Sequence, residues 1–525
     1  MSGGAARSRT EEDDMDRLSA LDAAFLAIED EHSPMAIGSV AVCDGPVPTD
    51  AEVRRLFEVA TRIAPRYRQR LRFVPLGLSR PVWEDDPHFR LEDHVDRIAL
   101  PAPGGAAELA DLVGWVMSER LDRRRPLWES VVVEGLAGGR WALVSKLHHC
   151  LADGVSGSDL LTAVLVASNT PDVPGTGRPE QPEESEKPAR PAASDTQLVL
   201  DAVGDLLRRS WREVVSVEQA LSAPRRLLAT VGTLARGARQ FGALASPLPR
   251  SRLCGPISNH RRWTSTTVPM AELAAVKRAM ASRLPGLTLN DVALTLTAGA
   301  YRRLQEAVGE TPERHPVRTL VPVSTRPLGA SAGPDNQVSA LTPELPVDVE
   351  DPVERLTVVH RRMAELKASG EAPTGSFLSS LVDDVPWFVE EALLRASLVP
   401  STPLLQTVTT NVPGPPVPLQ VLGRRLVELA PYVPLGYQVR VGVAMLSYAG
   451  AFCFGVTADQ DSVPDLQPFV GGISDELARL LDAVQIRPVV PAQTGAREGD
   501  AEPAARVVGP GERHRPALPE AALPA

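Results

Sequence analysis

Two adjacent histidines, His148 and His149, close the apolar run Trp141–Leu147, and Asp153 and Gly154 follow shortly after them. The string WALVSKLHHCLADGVSG reads as a buried strand, the histidine pair, a turn marked by Asp-Gly, and the start of a helix. An imidazole at the end of a strand can project into a cleft. A histidine near its ordinary pKa is a good proton acceptor around neutrality. His149 and Asp153 are four positions apart, so the carboxylate can shape the surroundings of the ring. Neighbouring strand residues point to opposite faces, so only one of the two histidines can enter a cleft.

Four readings of the pair compete. A histidine at a strand end is often purely structural. A metal site would need several His, Cys, Asp or Glu ligands at helical or CxxC-type spacing. None of the other histidines (His32, His88, His94, His260, His315, His360 and His514) repeats the pattern, and none of Cys43, Cys150, Cys254 and Cys453 sits in a CxxC pair. A Ser-His-Asp hydrolase would want a GxSxG elbow, and the sequence has none. A single histidine acting as base on a substrate hydroxyl needs no protein nucleophile, and it fits the residues present.

The elements that must position these residues can be read from periodicity. Asp50–Ala64 has helical spacing (Val53, Leu56, Phe57, Ala60, Ile63), with Thr49 or Asp50 as N-cap. Val131–Val133 and Arg140–Leu147 read as strands joined by a hairpin rich in glycine (Gly135, Gly138, Gly139), and Ser158–Ala167 as a helix. Further on, Glu272–Ser282, Asp291–Ala307 and Asp475–Val484 read as helices. Val317–Val323 and Val439–Tyr448 read as strands, the latter with period-two alternation. Strands mixed with helices in two blocks indicate an α/β or α+β protein.

The 525 residues suggest two or three domains at about 150 residues each. Hydrophobic residues are 43% and charged residues 23%, which excludes global disorder, collagen and coiled coil. A net charge of -11 argues against nucleic-acid binding by bulk electrostatics. The expected organisation is a disordered leader over 1–14, with Met15 as an alternative start, and an N-terminal domain over 15–170. A Pro-rich linker over 171–196, an amphipathic helical connection over 197–254, a C-terminal domain over 255–487 and a disordered tail over 488–525 complete it. Residues 197–250 carry eight arginines against four acids. They read either as helices packed on the protein or as a basic amphipathic surface for an anionic bilayer or lipid droplet. Neither a bilayer-spanning apolar stretch of roughly 20 residues nor a secretion signal is visible. Four dispersed cysteines fit a reducing cytoplasm.

The segment HHCLADG matches the HHxxxDG motif of CoA- and carrier-dependent acyltransferases. More specifically, the chain resembles the bacterial wax ester synthase/acyl-CoA:diacylglycerol acyltransferase (WS/DGAT) family. The resemblance rests on an ordered set: LSALDAAFLAIEDEHSPMAIG (18–38), LDRRRPLWE (121–129), the His motif, TLNDVALTLTAGAYRR (288–303), VPVSTR (321–326), DNQVSALTPELP (335–346), TNVPGPP (410–416) and SYAGAFCFGVTAD (447–459). The Pro-rich insertion and the tail lie outside it.

The resemblance implies two chloramphenicol-acetyltransferase-like halves, each a mixed sheet with flanking helices, and a tunnel between them that CoA enters from one side and the acceptor from the other. It implies fatty acyl transfer from acyl-CoA to the hydroxyl of diacylglycerol or a long-chain alcohol. Acylation of a sugar or polyketide, or a non-catalytic lipid-binding role, are the alternatives. His149 would be the general base, His148 a supporting residue, and Asp153, with Gly154 beside it, an orienting residue, with Arg326 either its partner or a residue packed on the surface. Asn290 is expected either as an N-cap or in substrate positioning or oxyanion stabilisation. Asp291 is the other member of that pair, and Trp128 a channel or core residue. The implied reaction uses acyl-CoA as co-substrate and requires no metal, acyl-enzyme or permanently bound cofactor. The expected location is cytoplasmic, with peripheral contact at an inner membrane or lipid droplet through 197–250.

Overall fold

The computed structural model describes residues 16–151, 164, 194–204, 248–324, 338–368, 386–397, 405–436 and 438–485. The helix expected over Ser158–Ala167, apart from Val164, most of the linker and amphipathic segment, and the tail lie outside these residues.

The first half begins with α1 (Ala20–Ile28), capped by Ser19, whose hydroxyl accepts the Asp22 N–H. Strand β1 (Ala36–Cys43) follows, then α2 (Asp50–Ile63). Thr49 caps α2 in a reciprocal box with Glu52, and Val53, Leu56, Phe57 and Ala60 form its buried stripe, as the spacing predicts, whereas Ile63, the last of the expected stripe, is exposed at the end of the helix. A small hairpin of β2 (Gln69–Arg72) and β3 (Val82–Asp85) precedes β4 (Val95–Ala99) and α3 (Ala106–Ser118). The hairpin that carries the histidines is β5 (Trp128–Leu136) and β6 (Arg140–His148).

The second half contains β7 (Arg261–Pro269), α4 (Met270–Met280), α5 (Leu289–Ala307), β8 (Val317–Ser324), β9 (Val338–Leu341), β10 (Glu344–Leu345) and α6 (Pro352–Ala368). It continues through α7 (Trp387–Ser397), β11 (Thr407–Val412), β12 (Gln420–Val421), β13 (Arg424–Tyr432), β14 (Val441–Tyr448), β15 (Ala451–Asp459) and α8 (Gln467–Ala483).

Two mixed sheets organise these elements. One runs β12-β13-β1-β6-β5-β4, and the other β10-β8-β11-β14-β15-β7, with β9 on β8. Parallel pairing occurs at β4–β5, β11–β14 and β8–β11.

The boundary expected at 255 is crossed by the chain itself. Strand β13 leaves the second half and pairs with β1 in the first sheet, Tyr432 opposite Gly38. Where β15 passes β13, a Cβ on Gly455 would lie 1.8 Å from the Pro431 carbonyl oxygen, so only glycine allows this approach. A shared core forms here. Val40, Val131 and Val144 pack with Val113 and Met117 of α3 and with Trp263, Ala430 and Cys453.

Other differences have local causes. Strand β14 is buried at nearly every position, because both its faces are covered, so the expected alternation is absent. Helix α8 starts eight residues before the expected Asp475. Pro468, Gly471 and Gly472 disguise its first turns, yet Gly472 lets the helix approach Ala300 of α5, where a Cβ would come within 2.8 Å. Of the amphipathic segment, residues 194–204 are described. Leu198 and Ala202 pack on Val74 and Val82, while Leu200 and Val203 are exposed. Among the described residues, no helix is long and apolar enough to cross a membrane.

Candidate active site

Strand β6 is buried from Trp141 to His148, and its alternation sets the two faces of the first sheet. Trp141, Leu143 and Leu147 face α2 with Trp128 and Val132. Ala142 and Val144 face α3 and the second half. By the same alternation, His148 is on the face of the strand that Ala142 and Val144 share.

The strand ends at His148, whose N–H donates to the Leu127 carbonyl at 2.9 Å. Its ring is 1% exposed. Nδ1 accepts the Cys150 N–H at 3.2 Å, and Nε2 lies 3.6 Å from Glu29 Oε1. His149 opens a single 3-10 turn, His149–Leu151. Its N–H donates to the Met35 carbonyl at 2.8 Å. Its ring stacks on Phe25, with centroids 3.7 Å apart and planes 19° from parallel. The residue is partly exposed, but Nδ1 is enclosed without a hydrogen-bond partner among the described residues.

These surroundings change the expected acid–base character. Burial, then the neighbouring His148, push the His149 imidazole down to about 4, well below its ordinary value. The ring is therefore neutral at physiological pH, and a weaker base than a histidine of ordinary pKa. Burial also lowers His148, with Glu29 pulling the other way. Glu29 itself titrates well below the usual carboxylate range: burial opposes its ionisation, and the His148 ring and the Arg123 guanidinium outweigh that cost. Burial pushes the Cys150 thiol well up, which removes it as a nucleophile at neutral pH.

The remaining expected residues divide. Asp153, Gly154 and Arg326 lie outside the described residues. Trp128 is packed in the core. It has no exposed surface, donates from Nε1 to the Tyr67 carbonyl at 2.8 Å, and stacks on His94 and Phe57. Asn290 is not the N-cap of α5. Thr288 is, in a reciprocal box with Asp291. Asn290 instead accepts at Oδ1 from Asn411 Nδ2, at 3.0 Å. Asp291 accepts the Thr288 N–H at 3.0 Å and lies 3.0 Å from His360 Nδ1, so its carboxylate braces the start of α5. Among the described residues, no hydrogen bond joins Asn290 or Asp291 to the histidine pair.

Sequence reasoning passed over Phe25, Glu29, Arg123 and Asn411. All four sit inside segments that carried the family resemblance. The signal for the first two was their spacing of four on α1 and its C-cap, which places them on one side of the helix. Among the described residues, no group of three His, Cys, Asp or Glu side chains is arranged to hold a metal ion.

Residues 18–293 match the wax ester synthase/diacylglycerol acyltransferase catalytic domain, and residues 335–481 the WS/DGAT C-terminal domain. A Mycobacterium tuberculosis protein named as a probable diacylglycerol O-acyltransferase, tgs1, is 39% identical over 487 residues, covering 92% of this chain and 99% of that protein. The solved structure of a wax ester synthase/diacylglycerol acyltransferase from Marinobacter aquaeolei is similar, with a TM-score of 0.58 and 25% identity over 90% of this chain and all of that one. The first condensation domain of the CDA synthetase shares the fold, with a TM-score of 0.53 and 16% identity over 91% of this chain and 99% of that one.

Proposed function

The chain belongs to the wax ester synthase/diacylglycerol acyltransferase family, and on that premise we propose that it is an acyl-CoA-dependent O-acyltransferase with His149 as its general base. The observation that carries this reading is the placement of His149. It sits beyond the end of a buried strand, is neutral at physiological pH, is held flat by Phe25, and is partly open to its surroundings.

With Nδ1 enclosed, the nitrogen left for proton transfer is Nε2. It takes the proton of the acceptor hydroxyl as the oxygen attacks the thioester carbonyl. The tetrahedral intermediate collapses with breakage of the C–S bond, and the imidazolium returns its proton to the CoA thiolate. Such base catalysis contributes about 10²–10⁴-fold, and holding alcohol and thioester together contributes several kcal/mol more. The cycle forms no acyl-enzyme, and acyl-CoA enters as co-substrate.

The acceptors proposed are diacylglycerol and long-chain alcohols. Thiol release from palmitoyl-CoA, measured with diacylglycerol, hexadecanol or no acceptor, tests the reading. Acceptor-dependent release with formation of the matching ester supports it. No ester with either acceptor sinks it and leaves another alcohol or a non-catalytic role. Peripheral contact with a lipid surface through 197–250 is part of the proposal. Equal flotation with vesicles by the full chain and a variant lacking that segment removes it.

A further inference from the structure

Glu29 is the C-cap residue of α1, and its carboxylate is buried behind the histidine pair at 4% exposure. Its Oε2 receives Arg123 Nε at 3.0 Å and Nη2 at 2.7 Å, and Arg120 Nη2 at 3.3 Å. Arg123 Nη2 also donates to the Leu26 carbonyl at 2.8 Å, which ties the guanidinium to α1. The other oxygen, Oε1, receives the Met35 N–H at 3.2 Å and faces His148 Nε2 at 3.6 Å. Burying such a group carries a large desolvation penalty before pairing, and packed apolar residues could fill the same space without it.

The far side of His148 says what the charge does. Nδ1 accepts the Cys150 N–H, so it carries no proton, and the proton of the neutral ring resides on Nε2. An ionised carboxylate can only accept, so Glu29 opposite Nε2 favours that tautomer. The tautomer in turn frees Nδ1 to hold Cys150, the residue that follows His149 in the turn. Glu29 also grips Met35 by its N–H, and the Met35 carbonyl receives the His149 N–H at 2.8 Å. The backbone on both sides of the His149 side chain is thus anchored through one carboxylate.

We propose that Glu29 is a positioning residue for acyl transfer, which fixes the His148 tautomer and thereby the turn that aims His149. The proposal rests on His149 being the base.

Glu29→Gln keeps the shape and removes the charge, and its amide can donate to Nε2 and favour the wrong tautomer. The expected result is a kcat lowered by about tenfold to a hundredfold, the scale of a misaimed catalytic group, with KM for acyl-CoA within about twofold. In a His148→Asn background, the Asn carbonyl can accept the Cys150 N–H whatever stands at position 29. There, Glu29→Gln should cost no more than about threefold, as expected for groups acting through one relay. An equal kcat loss in both backgrounds, or an unchanged kcat in folded Glu29→Gln, overturns the proposal.

Should Glu29→Gln not fold, histidine-selective 15N spectra of the wild-type chain decide, with His148→Asn assigning the signal. A neutral His148 protonated at Nε2 near neutral pH is expected, and a ring protonated at Nδ1 overturns the proposal. His149→Ala, assayed alongside, separates the two ideas. Activity retained there defeats the base assignment, whereas a dead His149→Ala beside an unaffected Glu29→Gln defeats the role of Glu29 alone.

Discussion

The ring of Phe25 lies on the ring of His149, their centroids 3.7 Å apart and their planes 19° from parallel. Phe25 belongs to α1 and His149 to the turn after β6, so a helix near the start of the chain sets the attitude of the proposed base. The stack restrains the imidazole without a hydrogen bond, which leaves its nitrogens uncommitted on that face.

Phe25→Leu keeps most of the apolar contact and loses the flat surface. Aromatic pairs contribute about 0.5–1.5 kcal/mol beyond buried area. The thermal midpoint should therefore fall modestly, and kcat should fall several-fold with KM little changed. Steady-state kinetics beside a melting curve check this; a lower midpoint with wild-type kcat would mean that the stack supports the fold only.

His149→Ala should abolish acyl transfer, by about 10²–10⁴-fold if the general-base role is the whole of the effect. The fold should survive, because the ring is partly exposed and its enclosed Nδ1 has no partner to lose among the described residues. Circular dichroism and thiol release on the same sample are the measurement. Full activity in the folded variant would rule out this residue as base.

The pH dependence follows from the lowered imidazole. His149 in the folded chain takes up its proton at about 4, whereas an exposed histidine does so at about 6.5. The acid limb of kcat/KM should lie well below that of an ordinary histidine. The unfolded chain binds the proton first, so stability from this group is complete above about 6.5 and is lost as pH falls towards 4. A rate profile with its acid limb at 6.5, in a chain still folded there, would contradict the buried environment.

Gly455→Ala should loosen the contact between the two sheets. The added methyl would sit 1.8 Å from the Pro431 oxygen, a backbone atom with little room to yield. Overpacking of this kind costs about 1–3 kcal/mol or more. As a control, Gly471→Ala adds a methyl within α8 that meets nothing within 4 Å, and it should be neutral or stabilising by up to about 1 kcal/mol. Urea midpoints of the two variants test the contrast, and equal midpoints would refute it.

Much of the local structure was legible beforehand. The Thr49 cap, the stripe on α2, the β5–β6 hairpin and the histidines at its end are written in spacings of two to four residues. Where both faces of an element are covered, as in β14, or where glycines carry close packing, as in α8, the pattern no longer reports the environment.

The order of motifs along the chain established the family and marked the histidine pair, because those signals are local and survive in one dimension. The partner strand for β1, the carboxylate behind His148, the ring beneath His149 and the lowered basicity of that ring were decided only in three dimensions. Strand pairing and desolvation depend on which distant segments close over a residue, and one neighbour's identity carries no record of that closure.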